Sequence, residues 1–471
     1  MGRVNAASVQ RVWALTFLLA AWAALLVVGL ASILRSAPLP SAGWPEPARP
    51  EPLVAPRGAI LAADGTPLAI SLQTGERVYP MGALAGQVVG YVKGKRDPES
   101  GHINTAGERD AGQAGVERAM EGRLGRAGDV YLTLDPALQT FAEEALWRGV
   151  EASGAEWGAA IVMETRTGRL LAVANAPAFD PGAPRGAPSE DPRLTNYAFE
   201  RLIEPGSTMK ALTAAVLLEV GAAKLDDVVE APMRRKVADR TIRDVVQHPR
   251  RLSLAQVLAY SSNVGMSTFA ERVGARTLTT YHAKLHLYDD DLLPGFRVWA
   301  PLYRPPEKVG EVEQANLSFG QGVSITPLHL AAAFNALAND GVYVPPVLVE
   351  PAGAPRGERI FRPEVARELR AVLSEFNAPR ARLPGYALGG KTGTAQIATG
   401  RGYQNSETYA ALYAGFVPAG EPRATVLVVL FDPQTSIFGS KVAAPIFKEI
   451  AARTLAYWGI APDSVRLGSG E

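Results

Sequence analysis

The chain has 471 residues, a length that favours two or three domains over a single core. Its 48 lysines and arginines nearly balance its 47 aspartates and glutamates, and the net charge of +1 excludes the overall positive charge typical of nucleic-acid-binding proteins. The sequence has no cysteine, which excludes disulfides, thiolate nucleophiles and thiolate metal sites.

An uncharged apolar segment near the N-terminus, residues 12–34, is long enough as a helix to cross a bilayer core of about 30 Å. It exceeds the apolar region of about 7–15 residues in secretory signal peptides, so we predict an uncleaved anchor, with cleavage between Ala31 and Ala37 as the alternative. Cationic side chains flank the segment, namely Arg3, Arg11 and Arg35. The positive-inside rule then predicts that residues 1–11 are a cytoplasmic tail and that nearly all of the remaining chain lies outside the cytoplasm.

The segment after the anchor, residues 35–56, is rich in proline and predicts an extended linker. Residues 57–128 contain short β-prone runs, and Asp64-Gly65 is a strong hairpin signal between two of them, Ala59–Leu61 and Leu68–Ile70. This part contains neither an acid–base cluster nor a phosphate-binding loop. We interpret it as a small β-rich pedestal, similar to a dimerisation domain, that serves as a spacer or docking platform.

The larger predicted domain covers residues 129–465 and is followed by a short tail, residues 466–471. Apolar β-prone runs lie near both of its ends: 159–164, 169–175, 408–417 and 424–431. Helical patterns lie between and after these runs: 207–220, 253–273 and a last helix from Pro445 to about Gly459. Strands at both ends with helices between them predict an α+β fold, in which the terminal strands pair in one antiparallel sheet.

Ser207 stands just before an apolar run, residues 211–218, that predicts a helix buried on every side. Free backbone N–H groups at the start of that helix favour negative charge developing beside Ser207. Lys210 lies one turn further on the same face, where burial lets its amine accept the proton of the Ser207 hydroxyl. The ordinary alternative is a serine cap followed by a lysine that reaches solvent, and this fragment alone leaves both open.

Two later segments carry further polar groups. Ser261 and Asn263 offer a hydroxyl and an amide two positions apart within a predicted helix. The segment Lys391–Thr394, Lys-Thr-Gly-Thr, predicts a strand edge whose two threonines share one face, whose lysine points to the other, and whose glycine admits a substrate backbone. Such an edge suits a ligand that ends in a carboxylate. The alternatives are a capping pair for the first segment and an exposed turn for the second.

Three motifs, S-x-x-K, S-x-N and K-T-G, each occur once in the chain and stand in the order found in penicillin-binding proteins and serine β-lactamases. Further segments extend the similarity: Arg57–Ile60, Leu134–Gln139, Phe319–Gly322 and Thr326–Leu328. The chain therefore resembles a class B penicillin-binding protein over nearly its whole length. The resemblance implies an α+β transpeptidase domain, an antiparallel sheet flanked by helices, on a β-rich pedestal behind one N-terminal transmembrane helix.

The activity implied by this resemblance is a D,D-transpeptidase that cross-links peptidoglycan stem peptides. Ser207 would attack the penultimate D-Ala carbonyl with Lys210 as general base, and Ser261 would relay a proton to the leaving amine. Asn263 would orient Lys210 and the bound peptide, and Lys391 would add positive potential for the substrate carboxylate. The implied substrate-binding residues on the strand are Thr392, Gly393 and Thr394, and the implied oxyanion hole is formed by the backbone N–H groups of Ser207 and Thr394.

The resemblance implies no metal and no organic cofactor. It implies D-Ala-D-Ala donor peptides and amine acceptors as substrates, and β-lactams as inhibitors. Because the chain carries no glycosyltransferase signature, the resemblance also implies a SEDS-family glycosyltransferase as partner, which would contact the span and the pedestal. Other wall-synthesis membrane proteins are further implied partners. The implied location is the bacterial cytoplasmic (inner) membrane, crossed once, with the catalytic domain on the periplasmic side.

Several alternatives stand beside this interpretation. Residues 323–328 and 442–447 favour the division type, which acts at the septum, over the elongation type. A β-lactamase or D,D-carboxypeptidase would use the same serine and lysine, but no loop supplies the glutamate that class A β-lactamases use for deacylation. Membrane β-lactam sensors resemble class D enzymes, which have valine where this chain has Asn263, and an intact motif set disfavours a non-catalytic scaffold. Ala62 and Ala63 replace an aspartate and an arginine usual in the family, which puts a local salt bridge in doubt.

Overall fold

The computed structural model describes residues 19–28, 32, 56–106, 108, 110–183, 191–353, 355–397 and 407–463. The chain divides into two compact units, Met1–Leu53 and Val54–Glu471. The division at residue 128 between pedestal and larger domain lies inside the second unit and stays a prediction.

In the first unit, helix α1 covers residues 19–28, and its apolar side chains, including those of Leu19 and Trp22, are exposed. No helix in the described ranges combines the length and the hydropathy of a membrane span. Most of the predicted anchor and linker, together with the two predicted tails, lies outside the described residues.

The second unit begins with a six-stranded sheet in the order β4-β5-β3-β2-β1-β6. Its strands are β1 (Ile60–Leu61), β2 (Pro67–Ser71), β3 (Glu76–Val78), β4 (Lys95–Arg96), β5 (Ile103–Asn104) and β6 (Val130–Tyr131). Short helices accompany it: α2 (Gly86–Val89), α3 (Gly115–Ala119) and α4 (Glu121–Leu124). The predicted hairpin is confirmed, because Ile60 pairs with Ala69 in antiparallel register and Gly65 turns the chain with a φ of 88°. β6 pairs in parallel with β1, so the strand after residue 128 joins the pedestal sheet.

A buried ion network stabilises this pedestal. The Nε atoms of Arg57 and Arg77 each lie 2.7 Å from a carboxylate oxygen of Glu117, and Arg57 also contacts Glu121 at 2.8 Å. Arg57 is the first residue of the resemblance segment in the pedestal. Ion pairs thus form here although the usual aspartate and arginine of the family are replaced by alanine.

The larger part of the unit is built on a five-stranded antiparallel sheet in the order β15-β16-β17-β7-β8. Its strands are β7 (Trp157–Glu164), β8 (Leu170–Ala176), β15 (Gly389–Gln396), β16 (Tyr409–Val417) and β17 (Ala424–Phe431). Long apolar runs bounded by turns form β7, β8, β16 and β17, since both faces of the sheet are covered, whereas the edge strand β15 is rich in glycine and threonine. β17 pairs with β7, which confirms the predicted pairing of strands from the two ends of the domain.

Shorter strand pairs and the remaining helices surround this sheet. The paired strands are β9 (Val228–Glu230) with β12 (Arg251–Ser253), β10 (Arg234–Val237) with β11 (Arg240–Arg243), and β13 (Val342–Tyr343) with β14 (Glu358–Arg359). The helices are α5 (Pro136–Ser153), α6 (Tyr197–Glu200), α7 (Met209–Glu219), α8 (Leu254–Tyr260), α9 (Asn263–Ala270), α10 (Gly274–Lys284), α11 (Glu311–Ser318), α12 (Pro327–Ala338), α13 (Pro363–Glu375) and α14 (Gly439–Tyr457).

Two hydrophobic cores lie on opposite faces of the five-stranded sheet. Alternate side chains of each strand point to opposite faces, so Val162 belongs to the core that contains α5 and α14, while Ile161 belongs to the core that contains α7 and α12. Phe447 of α14 fills the first core and Phe334 of α12 the second. The second core also contains apolar residues of the helices near Ser207, namely α7, α8 and α9, so this face of the sheet positions that serine.

Two helix boundaries differ from the predictions. The helix predicted over 253–273 is broken at Ser261, which adopts a left-handed φ of 56° between α8 and α9. The last helix begins at Gly439 rather than at Pro445, which lies inside it. Proline there costs one backbone hydrogen bond, and the burial of Phe447 and its neighbours against the sheet offsets that loss.

Candidate active site

Ser207 lies in a 3₁₀ turn, Gly206–Thr208, that leads directly into α7. Gly206 adopts a φ of 53°, and its N–H donates to the carbonyl oxygen of Gly320 at 2.9 Å. The approach is so close that a Cβ on Gly320 would lie 2.1 Å from the Gly206 carbonyl oxygen. Gly320, the first glycine of the Phe-Gly-Gln-Gly segment, therefore holds the serine turn in place.

Lys210, one turn after Ser207, is fully buried. Its Nζ lies 2.7 Å from Ser207 Oγ, 2.7 Å from the carbonyl oxygen of Ser261 and 3.2 Å from Ser261 Oγ. Burial lowers the pKa of Lys210 well below its usual value, the positive charge of Lys391 lowers it further, and Asp244 raises it. An amine in this setting can take the proton of the Ser207 hydroxyl.

Ser261 stands between the two lysines because the chain turns there from α8 to α9. Its Oγ lies 3.2 Å from Lys210 Nζ and 2.9 Å from Lys391 Nζ. An unbroken helix would direct this side chain differently, so the left-handed backbone of Ser261 is what makes the contact possible. One hydroxyl thus connects the general-base candidate with the lysine of the strand.

Lys391 lies on β15, the edge strand of the five-stranded sheet, with its side chain buried. Burial lowers its pKa to about 8. Thr392 and Thr394 are half-buried on the opposite face of the strand, the alternation predicted from the sequence. Because an edge strand leaves part of its backbone N–H and C=O groups unpaired, an extended peptide can add alongside it.

The strand and the serine turn are in direct contact. A Cβ on Gly393 would lie 3.1 Å from the Pro205 carbonyl oxygen, and one on Gly206 would lie 3.0 Å from the Thr394 carbonyl oxygen. A side chain at either position would crowd these carbonyl oxygens, and Gly206 also has a left-handed φ of 53°. The backbone segments of Ser207 and Thr394, predicted to form the oxyanion hole, are thereby brought together.

Asn263 lies at the start of α9, near the other predicted residues, but its contacts differ from those expected. Its side-chain amide donates to the carbonyl oxygen of Arg243 at 3.1 Å, and its backbone N–H donates to Asp244. Within the described part of the chain, the hydrogen bonds of Lys210 go to Ser207 and Ser261. Asn263 therefore does not orient Lys210 by a direct hydrogen bond here, and its contact with a bound peptide stays a prediction.

Asp244 is a residue of this region that the sequence did not indicate. It belongs to no recognised motif, and it precedes the S-x-N segment in the chain by a strand and a helix, so only the tertiary fold brings them together. Its negative charge is the influence that raises the pKa of Lys210. Over the described residues, no group of three or more histidine, aspartate or glutamate side chains is arranged to hold a metal ion.

Comparisons with known proteins show which family the chain is similar to. Residues 158–452 match the penicillin binding protein transpeptidase domain. The chain is 32% identical over 418 residues to the probable peptidoglycan D,D-transpeptidase PenA of Neisseria gonorrhoeae, covering 82% of this chain and 69% of that protein.

Solved structures give the same result. Penicillin-binding protein 3 from Mycobacterium tuberculosis superposes with a TM-score of 0.78 at 29% identity, covering 87% of this chain and 97% of that one. Its complex with ampicillin superposes with a TM-score of 0.77 at 28% identity, covering 87% and 96% of the two chains. The domain match spans more than half of the sequence and includes all three motifs. The chain belongs to the penicillin-binding protein transpeptidase family.

Proposed function

We propose that the protein is a serine-type peptidoglycan D,D-transpeptidase that cross-links stem peptides through an acyl-enzyme on Ser207. The observation that carries this function is the pair Ser207 and Lys210, whose Oγ and Nζ atoms are 2.7 Å apart. Burial lowers the pKa of this lysine, so a neutral amine is available to take the serine proton.

In the first half of the reaction, Ser207 Oγ forms a bond to the carbonyl carbon of the penultimate D-Ala while its proton passes to Lys210 Nζ. The backbone N–H groups of Ser207 and Thr394 stabilise the oxyanion of the tetrahedral intermediate. The C–N bond then breaks, and Ser261, 3.2 Å from Lys210 Nζ, relays the proton to the departing D-Ala amine. The product is an ester on Ser207.

The edge strand binds the end of the donor peptide. Thr392 and Thr394 donate hydrogen bonds to the terminal carboxylate, and Lys391 supplies positive potential from the opposite face. Gly393 lets the peptide backbone approach β15, and Asn263 contacts the peptide from the start of α9.

In the second half of the reaction, an amine of a neighbouring stem peptide attacks the ester and releases Ser207. A β-lactam enters the first half in place of the donor, since its ring amide presents a carbonyl with a nearby carboxylate. The related protein from Mycobacterium tuberculosis has been solved in complex with ampicillin. The ring nitrogen of a β-lactam stays attached to the acyl group after the C–N bond breaks. No leaving group departs, so the adduct on Ser207 persists.

A transpeptidation assay tests this function. Full-length protein in detergent is incubated with a peptide ending in D-Ala-D-Ala and an amine acceptor, and the products are identified by mass spectrometry. The expected products are free D-Ala and a donor joined to the acceptor. A donor shortened by one D-Ala, with no joined product, would indicate a carboxypeptidase instead.

Persistence of a β-lactam adduct provides the second test. A fluorescent penicillin should label the protein and stay bound for hours after excess ligand is removed. Label that is lost within minutes as hydrolysed penicillin would indicate a β-lactamase. An unlabelled protein that is folded would support the non-catalytic scaffold.

The cellular setting forms part of the same proposal. Residues 12–34 anchor the protein once in the cytoplasmic membrane with the catalytic domain on the periplasmic side, and a SEDS-family glycosyltransferase polymerises the glycan that this enzyme cross-links. The uncharged N-terminal segment and the division-type runs 323–328 and 442–447 support this setting. A fluorescent fusion should accumulate at the division site and co-purify with that glycosyltransferase. Uniform labelling of the lateral wall would indicate the elongation type.

A further inference from the structure

The chain segment that carries the S-x-N motif is held by one carboxylate, that of Asp244, directly after β11. Asp244 Oδ1 accepts the backbone N–H groups of Asn263 at 2.5 Å and Val264 at 3.1 Å. Its Oδ2 accepts the hydroxyl of Ser262 at 2.5 Å. Only 2% of the Asp244 side chain is exposed, so these hydrogen bonds are protected from competing water.

His248 fixes the same carboxylate from another side. Its Nε2 lies 2.8 Å from Asp244 Oδ2, and its Nδ1 lies 2.8 Å from the carbonyl oxygen of Pro249. The imidazole side chain has no exposed surface. Asp244 is therefore held between a histidine of its own loop and the first residues of α9.

The residue directly before this clamped segment is Ser261. It has the left-handed φ of 56°, which is unfavourable for a residue with a side chain. Its hydroxyl contacts Lys210 and Lys391, and its carbonyl oxygen contacts Lys210. If the start of α9 moved, Ser261 would lose this backbone conformation and its contacts with both lysines.

We propose that Asp244, supported by His248, is a positioning residue for acylation. It clamps residues 262–264 so that Ser261 stays in line between Lys210 and Lys391. This inference rests on the proposed acyl transfer at Ser207 and adds a residue outside the three motifs to its machinery.

Asp244 also acts through its charge, and this effect can be separated from the clamp. The charged groups that influence Lys210 are Lys391 on β15, which lowers its pKa in addition to burial, and Asp244, which raises it. Lys210 must be neutral to act as a base, so acylation increases as the pH rises through this pKa. Loss of the Asp244 charge lowers the pKa, and the acidic limb of the pH profile should move to lower pH.

Two substitutions distinguish geometry from charge. Asp244→Ala removes every hydrogen bond of the clamp. Asp244→Asn can keep them, because its amide oxygen accepts the two backbone N–H groups while its amide nitrogen donates to Ser262 and to an unprotonated His248 nitrogen. Only the negative charge is then lost.

The experiment measures the rate constant of acylation by a fluorescent penicillin from pH 5 to pH 10 on full-length protein, normalised to folded protein. Asp244→Ala should lower the rate constant on the plateau by about 10- to 100-fold, the cost of misplacing a group that touches the reacting atoms. Asp244→Asn should keep most of the plateau rate constant and shift the acidic limb to lower pH. If Asp244→Ala does not fold, Ser262→Ala tests the clamp, because it removes the hydroxyl hydrogen bond to Asp244 Oδ2 and keeps the Asp244 charge. It should lower the plateau rate constant without moving the acidic limb.

Asp135 provides a matched control. Its carboxylate caps α5 by accepting the backbone N–H groups of Ala137 and Leu138, so Asp135→Ala also removes an aspartate cap from a helix. It should lower stability while leaving the acylation rate constant and the acidic limb unchanged. An unchanged plateau rate constant in folded Asp244→Ala protein, or in Ser262→Ala where Asp244→Ala does not fold, would overturn the inference whether or not the acidic limb moves. Absence of acylation in the wild-type protein would instead overturn the proposed function.

Discussion

Two clusters of buried cations in this protein have opposite designs. In the pedestal, Arg57 and Arg77 are bonded to the carboxylate of Glu117. In the active site, Lys210 and Lys391 share a serine hydroxyl, and neither forms an ion pair with any described residue. Both clusters are removed from water, so the difference lies in whether a counter-ion was buried with the cation.

The counter-ions determine what each cluster can do. Burial alone would lower the pKa of Arg57, but its hydrogen bonds and charge interactions with Glu121 and Glu117 raise it, so the guanidinium keeps its proton. Burial lowers the pKa of Lys210 and of Lys391, and the opposing effect of the Asp244 charge on Lys210 does not restore its usual value. The paired cluster is suited to fixing a fold, and the unpaired cluster is suited to moving protons and attracting a carboxylate.

The largest expected effect is the loss of covalent chemistry when Ser207 is removed. Ser207→Ala should abolish acylation by fluorescent penicillin, because neither lysine of the unpaired cluster can replace the hydroxyl in forming the ester. Labelling after denaturing electrophoresis measures the adduct, and a thermal melt checks the fold. Ser100→Ala, at an exposed serine of the pedestal, serves as the control and should label normally. Normal labelling of folded Ser207→Ala protein would contradict the mechanism.

The next effect concerns the second unpaired cation. Lys391→Met should lower the acylation rate constant by about 10- to 100-fold by removing the positive potential at the carboxylate site. In the wild type, the rate should fall as the pH rises through about 8, where Lys391 loses its proton. The variant should lack this alkaline limb.

The same substitution tests what the unpaired charge costs in stability. Because the pKa of Lys391 falls from 10.5 to about 8 on folding, the unfolded chain binds more protons than the folded one between these values, so stability should rise with pH there. Lys391→Met should raise the melting temperature at pH 7 and flatten this dependence. A lower melting temperature of the variant at pH 7 would show that contacts of Lys391 outweigh the cost of burying its charge.

The paired cluster should respond in the opposite way. Glu117→Gln leaves the charges of Arg57 and Arg77 buried without their shared carboxylate, so the free energy of unfolding should fall by about 3–5 kcal/mol. Denaturant titration measures this loss, and the acylation rate constant per folded molecule should not change. Glu121→Gln is the control. Because the Glu121 side chain is 23% exposed, this substitution should lower the free energy of unfolding by less than Glu117→Gln does. A large kinetic effect of Glu117→Gln would mean that the pedestal takes part in acylation.

The sequence predicted the frame of the fold and of the site for a physical reason. Buried strands require long apolar runs, so the pairs at 159–164 with 169–175 and at 408–417 with 424–431 were visible without coordinates. The three catalytic motifs were visible because their chemistry needs particular side chains at fixed spacing.

The features that complete the site were not visible. Ser261 has no glycine or proline beside it to indicate a helix break, and its left-handed conformation depends on contacts from Lys210, Lys391 and the Asp244 clamp. These contacts join residues far apart in the chain. Local propensity cannot report such interactions, and for the same reason Asp244 could not be distinguished from any other aspartate in a polar loop.

The smallest expected effect belongs to ion pairs that are neither buried nor catalytic. Arg453 of α14 contacts Glu144 of α5 at 2.6 Å, but the two side chains are 31% and 48% exposed, so water solvates both charges whether or not they pair. Glu144→Gln should therefore change the free energy of unfolding by less than about 1 kcal/mol, and 1 M salt should remove even that difference. Denaturant titration at low and high salt measures both values. If the loss approached that of Glu117→Gln, the number of ion pairs would matter more than their burial, and the contrast between the two buried clusters would lose its explanation.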